Sequence, residues 1–84
     1  MESEDYRRKR EADIKKRLID LQTRGERTSK GEPISLAAIG RTLDPPVQRQ
    51  AVYLVIQGKA ESRRIKEAVE RELGSPYWIR RNVA

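Results

Sequence analysis

The chain has 84 residues, enough for one small domain over 1–84, and its makeup of 36% hydrophobic against 38% charged residues leaves a thin core of Leu, Ile, Val and Ala, with no Phe and a single Trp. Nineteen Lys and Arg against thirteen Asp and Glu give a net charge of +6 and a pI of about 10.1, the electrostatic footprint of a polyanion binder. With neither Cys nor His, the sequence excludes disulfides, thiolate–zinc sites, cysteine nucleophiles and histidine acid–base chemistry.

The N-terminal "MESEDYRRKR" has no apolar stretch behind its basic residues, so no secretory signal is expected. No apolar run approaches the ~18 residues of a membrane span. A cytoplasmic protein is the expectation.

The first predicted element is a helix over "SEDYRRKREADIKKRLIDLQTRG". Ser3 caps it, with Glu4 and Asp5 at the positive end of the dipole. Ile14, Leu18 and Leu21 recur at helical spacing. Glu11 with Lys15, and Asp13 with Arg17, are expected i,i+4 pairs. Arg7 to Arg10 carry charge without an apolar stripe, so these turns are expected to project or fray. The Arg7–Lys9 run then reads either as a DNA-facing arm or as a solubilising end. Gly25 is the stop, and "ERTSKGEP" is a polar loop.

Ser35 caps a second helix whose Leu36, Ile39 and Leu43 share a face. Gly40 lies inside it at a cost of roughly 1 kcal/mol relative to Ala, which predicts close approach of another helix. Asp44, Pro45 and Pro46 end it, because neither proline donates a backbone hydrogen bond and each disfavours helix in the residue before it. A third helix is predicted from about Val47 to Gln57, with Val52, Val55 and Ile56 inward and Gly58 as stop. Ser62 caps a fourth, with Ile65, Ala68, Val69 and Leu73 inward and Gly74 as stop. The tail, 75–84, holds Tyr77, Trp78 and Ile79.

Two short helices joined by a tight connection, the second opening with polar residues ahead of an apolar stripe, are the physical recipe of a helix-turn-helix, here over about 35–58. "SLAAIGRTL…VQRQAVYLVIQGK" resembles the helix-turn-helix of lambda-repressor-like regulators, including Cro and the Ner-type regulators of temperate phages. The resemblance rests on Ile39–Gly40, Leu43, the Val52 and Ile56 spacing, Gly58–Lys59, and "IKEAVERELG" as the next helix. It covers about Ile14 to Gly74 and implies a small all-α fold of four to five helices. The family's turn usually reads Leu–Gly–Val–Ser. Here Leu43 is followed by Asp44, Pro45, Pro46 and Val47, so the turn is about two residues longer.

With the apolar stripe inward, the opposite face of the third helix presents Gln48, Arg49, Gln50, Tyr53 and Leu54. Gln bonds bidentately to adenine and Arg to guanine, and the resemblance places Arg49 and Gln50 at base-reading positions. Tyr53 is assigned to a base edge or a phosphate, and Leu54 to a thymine methyl or to a covering segment. The phosphate candidates are Ser35, Arg41, Lys59, Arg63 and Arg64. Tyr77, Trp78 and Ile79 are costly to leave in water. They either fold onto the chain's own core or, as the favoured expectation, form a two-fold dimer interface. No catalytic set, metal-ligand cluster, cofactor motif or small-molecule site is evident.

The function expected from this reading is non-enzymatic. A homodimer of a phage or prophage repressor would bind double-stranded operator DNA and regulate transcription. The rival expectations are an excisionase-like recombination directionality factor and the antitoxin of a toxin–antitoxin pair.

Overall fold

A computed structural model describes residues 3–78 of the protein. They form four helices: α1 (Glu4–Thr23), α2 (Leu36–Arg41), α3 (Arg49–Ile56) and α4 (Arg63–Leu73). The class is all-α; among the described residues there is no strand beyond one isolated antiparallel bridge, Arg27 to Pro33. Three of the helices begin on serines. The side-chain oxygens of Ser3, Ser35 and Ser62 accept from the amides of Tyr6, Ala38 and Ile65 at 3.1, 3.0 and 3.3 Å, satisfying a donor that each first turn leaves open.

The apolar stripes meet in one core. Ile14 and Leu21 come from α1, Ile39 from α2, Val52, Val55 and Ile56 from α3, and Ile65, Val69 and Leu73 from α4. Each such side chain contributes roughly 1.5–3 kcal/mol on burial. Three further members come from outside the helices, Ile34, Leu43 and Trp78. Ile34 closes the 24–35 loop, whose amides of Thr28 and Ile34 donate to the carbonyls of Glu32 and Glu26. That loop is therefore structured, with Thr28 buried, where only a polar connection was expected.

The connection between α2 and α3 is tight because Gly40 has no side chain. The carbonyl of Gly40 accepts from the amides of both Leu43 and Val47, and a methyl group at Gly40 would overlap the Val47 carbonyl oxygen. The close neighbour is thus the backbone leading into α3, not another helix. Val47 lies outside the helix, Gln48 is extended, and α3 starts at Arg49.

The N-terminal turns of α1 neither project nor fray. Arg10 is only 3% exposed. Its Nε and Nη2 donate to the Ile56 carbonyl at 3.1 and 2.9 Å, and its guanidinium lies 5.1 Å from the Trp78 ring centre and 5.7 Å from that of Tyr6. The Tyr6 hydroxyl donates to the Tyr77 carbonyl. The residues of the expected ion pairs on α1 take other partners, two of them outside the helix. Glu11 accepts from the Tyr53 hydroxyl, Asp13 lies 3.7 Å from Lys9, and Arg17 donates to the Leu73 carbonyl.

Of the two expectations for the tail, Trp78 follows the first and folds onto the chain's own core. Trp78 is 7% exposed and belongs to its own chain's core, so little of it is left for a second subunit. The amides of Tyr77 and Trp78 both donate to Glu70 Oε2, at 2.8 and 3.2 Å, which turns the chain back after Gly74. A core without Phe takes the indole as its lid. Tyr77 is half-buried against the same core, and Ile79 lies outside the described residues.

Candidate nucleic-acid interface

α3 is short, and its two sides differ sharply. Val52, Val55 and Ile56 are buried, while Gln48, Arg49 and Gln50 are exposed. Gln48 occupies the N-cap position but makes no side-chain capping bond. Among the described residues, no hydrogen bond or ion pair holds the side chains of Arg49 or Gln50. Three groups able to donate hydrogen bonds to base edges therefore stand together at the leading end of a helix whose back is anchored in the core.

Tyr53, one turn further along, is less free. It is half-buried, and its hydroxyl donates to Glu11 Oε2 at 3.1 Å. That hydrogen bond, together with the charge of the Glu11 carboxylate, raises the Tyr53 pKa above the ordinary phenol value, against a weaker opposing effect of Arg49. Leu54 is half-buried, and its carbonyl accepts from the amides of Lys59 and Ala60 after the α3 stop.

The phosphate candidates are placed unequally. Ser35 spends its side-chain oxygen on capping α2. The Nε of Arg41 donates to both carboxylate oxygens of Glu32, at 3.1 and 2.9 Å. Arg63 pairs with Glu67 one turn on in α4. Arg64 reaches across to the α2–α3 turn, where its Nη2 donates to the Pro45 carbonyl at 3.1 Å. Lys59 is exposed, with no side-chain partner among the described residues.

One cation missed in the sequence joins this group. Arg71 lies two helical turns after Arg64 on α4, and its Nη2 donates to Thr42 Oγ1 at 3.3 Å. Arg64 and Arg71 therefore flank the connection that leads into α3. The i,i+7 spacing was visible in the sequence, but nothing local said which way that face of α4 points. Among the described residues, no group of three or more acidic, His or Cys side chains is placed to hold a metal ion, and no helix is long and apolar enough to cross a membrane.

No protein-family model, curated protein or solved structure matches the chain.

Proposed function

We propose that the protein is a sequence-specific double-stranded DNA-binding regulator, in which α2 and α3 act as a lambda-repressor-like helix-turn-helix and α3 enters the major groove. The observation that carries this reading is the pairing of exposed Gln48, Arg49 and Gln50 with the fully buried reverse side of the same helix. A helix anchored in this way holds its polar end at a fixed angle, as base readout requires.

The charge supports the same reading. The net charge is +6, and Arg64 and Arg71 sit beside the turn that precedes α3, where backbone phosphates flank an inserted helix. A repressor occupying a two-fold operator as two copies, and so excluding RNA polymerase, is the proposed role, because one module of this size makes few base contacts. The contact between copies is then made by surface other than Trp78.

The test is selection of bound duplexes from a random pool, followed by footprinting of the enriched sequence. The reading requires a defined sequence, enriched with two-fold symmetry. Equal recovery of all sequences, or no retention of duplex DNA at low salt, refutes it.

A further inference from the structure

The DNA-binding reading leaves open whether Tyr53 serves a base or a phosphate, and the Glu11 contact decides it. We infer that Glu11 fixes Tyr53 as a hydrogen-bond acceptor toward DNA, so that Tyr53 selects a base bearing an exocyclic amino group, adenine or cytosine, and takes no part in phosphate binding. This inference rests on the proposed docking of α3.

The chemistry is one of proton counting. A phenol has a single proton, and an ionised carboxylate has none to give. The 3.1 Å contact between Tyr53 Oη and Glu11 Oε2 therefore spends the Tyr53 proton inside the protein. What remains on the Tyr53 oxygen is lone pairs. Phosphate oxygens, guanine O6 and N7, and thymine O4 are all acceptors, and none of them bonds to such an oxygen. The major-groove donors are adenine N6 and cytosine N4. The Glu11 charge adds repulsion toward any phosphate placed at the same spot.

Glu11 is also held in place. It follows Arg10, whose two hydrogen bonds to the Ile56 carbonyl lock this turn of α1 against the far end of α3. Tyr53 in turn lies one turn along α3 from Arg49, on the side that carries the exposed polar residues. The carboxylate also disfavours loss of the phenol proton, so Tyr53 stays protonated, and committed, well above neutral pH.

The experiment compares duplexes selected from a random pool by the parent, Tyr53→Phe, Glu11→Gln and Glu11→Ala, with circular dichroism to check each fold. The parent is expected to restrict one strand position to adenine or cytosine by about three- to tenfold, the equivalent of one net hydrogen bond. Tyr53→Phe removes only an oxygen and should release that position while sparing the others. Glu11→Gln keeps an acceptor oxygen and should preserve the preference. Glu11→Ala frees the proton and should admit guanine or thymine there. An unchanged Tyr53→Phe pool, or an unchanged preference in Glu11→Ala, overturns the inference while leaving DNA recognition standing. A parent that enriches no sequence overturns the DNA-binding reading, and this inference with it.

Discussion

The guanidinium of Arg10 donates two hydrogen bonds, of 3.1 and 2.9 Å, to the carbonyl oxygen of Ile56. That oxygen ends α3, where helix carbonyls lack intrahelical partners and the dipole favours a cation. The same guanidinium stacks on Trp78, so one side chain joins α1, α3 and the tail. Arg10→Ala should cost about 2–3 kcal/mol, since it removes charged hydrogen bonds and leaves a buried acceptor unmet. Arg10→Lys should recover only part of this, because an ammonium cannot reproduce the planar fork. Urea titration followed by circular dichroism measures both.

Gly40→Ala tests the turn. Alanine would gain up to about 1 kcal/mol in helix propensity. The new methyl, however, meets the Val47 carbonyl, which is backbone and cannot swing aside. Overpacking of this kind costs about 1–3 kcal/mol, so the net effect is destabilising, and thermal denaturation should show a lowered midpoint.

Trp78→Ala should lose about 3–5 kcal/mol, as large aromatic truncations in cores do. A domain of this length has roughly 4–12 kcal/mol in all, so the variant should lose a large share of its stability and melt at a markedly lower temperature. Trp78 is also the single tryptophan, so parent fluorescence should be blue-shifted and move red in one cooperative step with denaturant. Solvent-like emission from the native parent contradicts its burial.

Glu72 gives the fold a pH dependence. Burial pushes its carboxyl up, but hydrogen bonds from the Ser29 amide and hydroxyl and from Arg71 outweigh burial and hold its pKa below the ordinary carboxylate value. A folded pKa below the unfolded one contributes stability that is full at neutral pH and fades as pH falls through the folded value. Glu72→Gln should therefore cost about 1 kcal/mol at pH 7, with parent and variant converging in acid. Denaturation at the two pH values reads the difference.

On DNA, Arg49→Ala and Gln50→Ala should each cost about 1–3 kcal/mol on the selected sequence and little on random duplex, with the fold intact. Lys59→Ala should weaken all duplexes alike and lower the slope of log affinity against log salt by about 1. Fluorescence anisotropy across a salt series separates the two behaviours.

Much of this architecture was legible in the chain. Ser3, Ser35 and Ser62 are local capping signals, and the stripes of α3 and α4 are periodic, so helix positions and inward faces could be read without tertiary knowledge. The start of α3 was misjudged by two residues, because Val47 suits a helix but its amide is tied back to the Gly40 carbonyl. Arg10 was expected in turns that project or fray, and Glu11 and Arg17 in i,i+4 pairs along α1. Their partners, Ile56, Tyr53 and Leu73, lie 46, 42 and 56 residues away, and no periodicity encodes a pairing of that kind. The exposed face of α3 was legible as the complement of its stripe, while the Arg64 and Arg71 flank depended on how α4 packs.

The closure of Tyr6 and Arg10 onto Tyr77 and Trp78 has a consequence for the order of events on the ribosome. Contacts across 71 residues of chain cannot form until the C-terminal end of the domain has emerged. A nascent chain that has delivered all four helices still lacks the indole that seats Arg10, and with it the support beneath the last carbonyl of α3. Helix α3 therefore gains this last support only after translation has passed Trp78, so a prematurely terminated product keeps the buried stripe of Val52, Val55 and Ile56 but lacks the indole that packs on Arg10 behind the α3 terminus.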